Sequence, residues 1–258
     1  MTNARVGRLH AAWRLVRVLL HVAHGMAIVA LRWHALDAAG RHGRIGWWAG
    51  KLLRLLGIEV VVDGTVRNGA VLLLANHVSW LDILVIHASC PRARFVSKAD
   101  VRAWPLLGWL VGAVGTLFIE RERKRDALRV VHQVAAALDG GDVVAVFPEG
   151  TTGDGQTVLP FHANLLQAAI STNVPVQALA LRYADAVQRF SPVVAWLGDT
   201  TLVDSVWTIA RARDLRVHVV VLPPQGSRHA DRRALAALVR SAIAAELHRD
   251  HNAAEEPR

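Results

Sequence analysis

VLLLANHVSWLD, residues 71–82, sets five consecutive apolar residues against a polar turn and then a segment carrying Leu81 and Asp82. A run that short and that uniformly apolar reads as a strand buried on both faces, the kind found in parallel sheets whose crossovers are helices. Working outward, similar runs recur at Ile58–Val62, Arg94–Ser97, Thr116–Ile119, Val143–Phe147, Val176–Leu181 and Arg216–Leu222. Helical stretches fall between and after them, at Asp126–Leu138, His162–Ser171 and Asp231–His248, the second placing Leu165, Leu166, Ala169 and Ile170 on one face. This alternation predicts an α/β fold with a mostly parallel sheet of about seven strands flanked by helices.

Upstream of Gly57 the pattern is different. Val18 to Leu31 is fourteen residues without a formal charge, short of the roughly 20 a transmembrane helix needs, which predicts a shallow or in-plane helix. Arg44 to Gly57 then places Ile45, Trp48, Leu52, Leu55 and Leu56 at helical spacing with Arg44, Lys51 and Arg54 toward the other side, the pattern of a basic amphipathic helix on anionic lipid. The expected organisation is an N-terminal pair of membrane-associating helices over residues 1–57, a core over 58–226, and a C-terminal helix with a frayed tail over 227–258.

Composition narrows the partners. Lysine and arginine outnumber acidic residues 30 to 21, a net charge of +9, and 53% of the chain is hydrophobic. That balance favours anionic partners and apolar surface turned toward lipid, and the nine tryptophans agree with a headgroup boundary. Cys90 is the only cysteine, so an intramolecular disulfide and a multi-cysteine metal site are excluded. The N-terminus lacks the ordered basic, apolar and cleavage regions of a secretory signal, since Arg14, Arg17, His21 and His24 punctuate it. The run Arg121-Glu122-Arg123-Lys124-Arg125 is of mixed charge before an amphipathic helix and reads as a solvated face, so no nucleic acid is expected. His132, His218 and the other scattered histidines show no metal-ligand spacing.

Chemistry enters where the strand at Val71–Ala75 ends, because the carboxyl edge of an open sheet is where ligands reach an α/β protein. There His77 and Asp82 stand five residues apart. They do not share a helix face, so pairing them requires a turn at His77 before the helix that carries Asp82. Such a pair fixes the imidazole tautomer and stabilises the imidazolium, which suits a general base. Three further blocks lie at strand ends: Gly115-Thr116-Leu117-Phe118-Ile119-Glu120-Arg121, Phe147-Pro148-Glu149-Gly150-Thr151-Thr152, and Val174-Pro175-Val176. No serine sits in a G-x-S-x-G setting and Cys90 has no motif around it, which favours direct attack by an acceptor over an acyl-enzyme. Ser79 is placed to cap the helix that follows.

In order and separation these blocks resemble those of the glycerolipid acyltransferase family typified by 1-acyl-sn-glycerol-3-phosphate acyltransferase, which read approximately NHxxxxD, GxxFIxR, FPEGTR and a VPxxP-like segment. The resemblance implies that His77 takes the proton of an acceptor hydroxyl and that Asp82 orients it. It implies that Arg121 holds an anionic group of the acceptor, that Glu149, Gly150 and Thr151 shape the acceptor site, and that Pro175 lies near the donor and acceptor pocket. It further implies acyl-CoA or acyl carrier protein as donor and cosubstrate, a lysolipid as acceptor, no cofactor and no metal. The catalytic domain is then expected at the inner membrane, facing the cytoplasm. The uncharged stretch Ala103 to Ile119, broken by Pro105, Gly108, Gly112 and Gly115, becomes a half-buried helix lining an acyl-chain tunnel or touching the bilayer.

Two departures bear on the acceptor. Thr152 stands where the pattern has the arginine of FPEGTR, and His162-Ala163 follow Phe161 where many relatives carry Lys and Gly. With 1-acyl-sn-glycerol-3-phosphate as the leading acceptor, these losses of positive charge keep a lyso-ornithine lipid or other lysolipid as the alternative. A lipid-surface binding protein without catalysis is the reading from another class, and a thioester hydrolase a third.

Overall fold

The computed structural model describes residues 5–98, 107–119 and 124–249. Two helices, α1 (Arg8–Arg32) and α2 (Ala38–Leu56), precede strands β1 (Ile58–Asp63) and β2 (Val71–Ala75). Then come α3 (Leu81–Ser89), β3 (Ala93–Lys98), α4 (Leu107–Ala113), β4 (Leu117–Ile119), α5 (Lys124–Asp139) and β5 (Val143–Val146). The chain closes with α6 (Leu166–Thr172), β6 (Val176–Ala184), α7 (Leu202–Arg211), β7 (Leu215–Val221) and α8 (Arg232–His248). The seven strands form one sheet in the order β1-β7-β6-β2-β5-β3-β4. Every pairing is parallel except β6 with β7.

Side-chain alternation divides the core. On β2, Val71, Leu73 and Ala75 enter one cluster with Leu53 and Leu56 of α2, Leu81, Val85 and Ile86 of α3, and Ile209 of α7. Leu72 and Leu74 enter the other with Val134 and Leu138 of α5, Leu166 and Ala169 of α6, and Val239 and Ile243 of α8. All five β2 residues are buried, as the unbroken apolar run requires. A cut after residue 57 would therefore remove α2 side chains that fill the core.

The N-terminal elements are longer than their patterns. Asp37 caps α2 by accepting from the Gly40 amide at 2.8 Å, so the helix starts at Ala38, where Gly40 and Gly43 dilute the apolar periodicity. It ends at Gly57, whose positive φ of 83° provides the left-handed C-cap. Helix α1 has 25 residues, because Arg14 does not interrupt it: its guanidinium donates to the carbonyls of Ala212 at 2.9 Å and Ala210 at 3.2 Å, at the C-terminal end of α7, and to Leu56 at 3.5 Å. At 1.5 Å per residue α1 is about 37 Å long, and Arg8–Ala35, whose most apolar 18-residue stretch has a mean hydropathy of 1.6, is long and apolar enough to cross a membrane. The uncharged stretch Val18 to Leu31 is therefore only part of this helix.

Helices α1 and α2 are locked together. The His21 ring stacks on Trp48 at 5.4 Å; Trp48 Nε1 donates to the His21 carbonyl at 3.2 Å, and His21 Nε2 meets the Trp48 carbonyl at 3.0 Å. Gly25 lets the indole in. Outside this contact Leu9, Trp13, Val16, Leu20 and Leu31 are exposed, at a spacing that aligns them along one stripe of α1.

Candidate active site

The site lies at the carboxyl edge of β2, where the chain turns through residues 76–80 before α3. Asn76 is buried there and bridges to β6, its amide donating to the Leu181 carbonyl at 2.9 Å and its oxygen accepting from the Leu181 amide at 2.8 Å. This pins the outgoing loop to the neighbouring strand before His77 leaves the sheet.

His77 and Asp82 meet as the motif requires. His77 Nδ1 is 2.8 Å from Asp82 Oδ2, with the imidazole 20% exposed and the carboxylate fully buried. The same oxygen accepts from the amides of Val78 at 2.7 Å and Ser79 at 2.9 Å, while Asp82 Oδ1 accepts from the Tyr183 hydroxyl at 2.6 Å. Four donors saturate a carboxylate that would otherwise be costly to bury. The phenol of Tyr183 is pushed well above its ordinary pKa by burial and then by the adjacent carboxylate, so it stays protonated and donates throughout the working range. Phe147 supports the imidazole from behind, its ring stacked on His77 at 4.0 Å and 11°.

Glu149 is a brace. Its carboxylate is buried and accepts from the His77 amide at 2.8 Å and the Leu159 amide at 2.9 Å. Burial raises its pKa, with the Leu159 and His77 amide bonds pulling the other way. The Gly153 amide returns a bond to the His77 carbonyl at 2.7 Å, so the loop after β5 is tied to the loop after β2 twice. Gly150 has a φ of 72°, and a Cβ there would lie 3.1 Å from the His162 ring, a conformation and a spacing that both favour glycine. Thr151 is exposed beside it. Thr152 turns inward, its hydroxyl donating to the Trp196 carbonyl, and the Trp196 amide donates to the Val78 carbonyl at 3.0 Å.

Two expectations meet a different outcome, and a third falls outside the described residues. Pro175 precedes β6, where Val176 pairs with Leu72, so it sits level with the start of β2. That is the opposite edge of the sheet, roughly 15–20 Å of strand from His77, because β6 runs parallel to β2 and carries its first residue away from the site. Ser79 does not cap α3: its hydroxyl is buried with no hydrogen-bond partner among the described residues, and Asp82 reaches back to the loop amides instead. Arg121 lies outside the described residues, as do Trp104 and Pro105 of the uncharged stretch, whose described part forms α4, with Trp109 exposed, and β4.

Sequence reasoning missed Tyr183 and Asn76 as parts of the site. Tyr183 is the one tyrosine of the chain, and its signal was a polar-tipped ring at the carboxyl end of a strand that neighbours β2. Asn76 precedes His77 in the sequence, where nothing local assigns it a task.

A family model described as Acyltransferase matches residues 40–182. The lyso-ornithine lipid O-acyltransferase of Pseudomonas aeruginosa is 35% identical over 247 residues, covering 92% of this chain and 93% of that one. The 1-acyl-sn-glycerol-3-phosphate acyltransferase of Neisseria meningitidis is 36% identical over 164 residues, 64% of each chain. The crystal structure of the 1-acyl-sn-glycerophosphate acyltransferase PlsC from Thermotoga maritima superposes with a TM-score of 0.66 at 20% identity, over 95% of this chain and all of that one, and so shares the fold. With the family model spanning more than half the sequence and a relative matched almost end to end, the chain belongs to the acyltransferase family.

Proposed function

We propose that this chain transfers a fatty acyl group from a thioester donor, acyl-CoA or acyl carrier protein, to the free hydroxyl of a lysolipid, and that a lyso-ornithine lipid is the acceptor. His77 carries the reading: Nδ1 is engaged by buried Asp82, which leaves Nε2 as the ring nitrogen for an acceptor hydroxyl. As that oxygen attacks the thioester carbonyl, Nε2 takes its proton. The tetrahedral oxyanion then collapses, the C–S bond breaks, and the departing thiolate receives the proton from the imidazolium. Asp82 stays ionised and holds the tautomer.

Two observations support the acceptor. The relatives named lyso-ornithine lipid O-acyltransferase include one matched over 92% of this chain, and Thr152, in place of arginine, spends its hydroxyl on the Trp196 carbonyl. The second reading, 1-acyl-sn-glycerol-3-phosphate as acceptor, is supported by the 36% identity to the Neisseria enzyme. Arg121 is proposed to grip the acceptor's carboxylate or phosphate, with Gly150 and Thr151 forming the adjoining wall. The exposed stripe of α1 is proposed to rest on the inner membrane, with the catalytic edge facing the cytoplasm.

The test is a panel of lysolipids offered to the full chain with labelled acyl-CoA or acyl carrier protein. Label appearing in ornithine lipid only when the lyso form is added supports the proposal; free acid without an acceptor would make the chain a hydrolase. Thr152→Arg is expected to lower use of lyso-ornithine lipid and raise use of lysophosphatidic acid.

A further inference from the structure

We infer that Tyr183 is a positioning residue of the transfer reaction, acting through Asp82 to set how strongly His77 binds its proton; this rests on the proposed role of His77 as base. The geometry is specific. The Tyr183 hydroxyl reaches Asp82 Oδ1 at 2.6 Å, on the oxygen that His77 does not use. Tyr183 is aimed by its backbone: Asn76 clamps Leu181, two residues earlier, through both its amide atoms, and the Ser191 amide donates to the Tyr183 carbonyl at 2.9 Å. The ring is 3% exposed, so no water competes for the bond.

A donor on Oδ1 withdraws charge from the carboxylate. The pull of Asp82 on the Nδ1 proton of His77 is thereby moderated. Without that donor the buried carboxylate becomes more basic, and so does the imidazole bonded to it. The hydrogen bond between the two groups carries the change from one to the other, so loss of the donor is expected to move the acid limb of the pH–rate profile to higher pH. The titratable groups facing Asp82 are His77 from the loop after β2, Tyr183 from β6 and Glu149 from the loop after β5. Glu149 keeps its two amide partners whatever stands at position 183, so its contribution is common to the variants compared.

The chain's single tyrosine makes the test selective. Biosynthetic replacement of tyrosine by 3-fluorotyrosine alters Tyr183 alone, gives a more acidic and stronger donor of nearly the same shape, and adds one fluorine resonance. Tyr183→Phe removes the donor and keeps the ring. Acyl transfer is measured from pH 5 to 9 with whichever lysolipid is turned over. Relative to the natural chain, the acid limb of kcat/KM is expected to rise in Tyr183→Phe and fall in the fluorotyrosine protein. In Tyr183→Phe, kcat should drop about tenfold or more while KM for the lysolipid changes little. The fluorine resonance should titrate along the same limb. An unmoved limb in the fluorotyrosine protein, or one moved upward, overturns the inference whether or not Tyr183→Phe folds. Loss of kcat with an unmoved limb makes Tyr183 a packing residue only. If His77→Ala retains transfer, it is the underlying role of His77 that fails.

Discussion

At the scale of single residues the site is a saturated carboxylate with an imidazole on one side and a phenol on the other. His77→Ala is expected to cost about 10²- to 10⁴-fold in turnover with the circular dichroism unchanged, because the ring is partly exposed and its main partner is retained. Asp82→Asn should be as inactive and also less stable, since one amide oxygen replaces a carboxylate that serves four donors, and the added NH₂ faces some of them. His87 offers a separate prediction. It is buried, its Nδ1 lacks a hydrogen-bond partner among the described residues, and burial lowers its pKa to about 4. A depressed histidine stabilises the fold above its unfolded value and loses that contribution as pH falls toward the folded one. Roughly 3 kcal/mol should therefore vanish between about pH 6.5 and 4. In His87→Leu, urea denaturation across that range should lose this part of the decline; an unchanged decline would assign it to other groups. The motif made His77 and Asp82 legible because a five-residue turn constrains their meeting locally. Tyr183 was not legible: it reaches Asp82 from 101 positions away, and only the sheet order makes them neighbours. Pro175 failed for the same reason in reverse, since a block's place in the sequence does not say which edge of the sheet it occupies.

At the scale of elements, the apolar runs marked the strands to within a few residues, but not the direction of β7. The chain reaches β7 through an irregular stretch and α7, where Thr201 caps the helix by accepting from the Asp204 amide at 3.1 Å; Leu202, Val206 and Ile209 give that helix an apolar period, but the period says nothing about which way the strand after it runs. The first two helices were legible as amphipathic, while their lock was not, because it depends on a glycine. A Cβ on Gly25 would lie 2.3 Å from Trp48 Nε1, closer than any side chain tolerates. Gly25→Ala should thus spread α1 from α2 and cost roughly 1–3 kcal/mol, seen as a lower unfolding midpoint. Gly43→Ala, in α2 with nothing within 4 Å of the added carbon, is the contrast. It should be neutral or stabilise by up to about 1 kcal/mol through helix propensity. Equal effects at the two positions would show that helix propensity, and not the indole contact, governs the hairpin.

At the scale of the whole molecule the proposed membrane contact of α1 can take two forms, since length and hydropathy permit crossing while its contacts hold it against the domain. Arg14 is bound to carbonyls of Leu56, Ala210 and Ala212, and His21 to Trp48 two turns later. A spanning α1 would have to abandon these bonds or draw the ends of α2 and α7 into hydrocarbon, leaving their polar backbone groups unsatisfied. An in-plane α1 keeps them and turns Leu9, Trp13, Val16, Leu20 and Leu31 to lipid. Spin labels decide between the two. Leu9, Leu20 and Leu31 are eleven residues apart, about three turns, and so lie on one face with about 16 Å of rise between neighbours. Cys90, the only native thiol, is buried and its pKa is raised by that burial, so cysteines introduced singly at 9, 20 and 31 are labelled selectively. Power saturation on anionic vesicles should place all three labels within about 5 Å of one depth, just below the headgroups. A label at 20 near the bilayer centre, with 9 and 31 shallow, would mean that α1 crosses and has left the domain surface. Replacing Leu9, Trp13, Val16 and Leu20 together by serine should weaken vesicle binding by about a hundredfold or more, since each loses on the order of 1 kcal/mol of burial in lipid. High salt should weaken it only in part, because screening acts on the arginines and leaves the apolar contact intact.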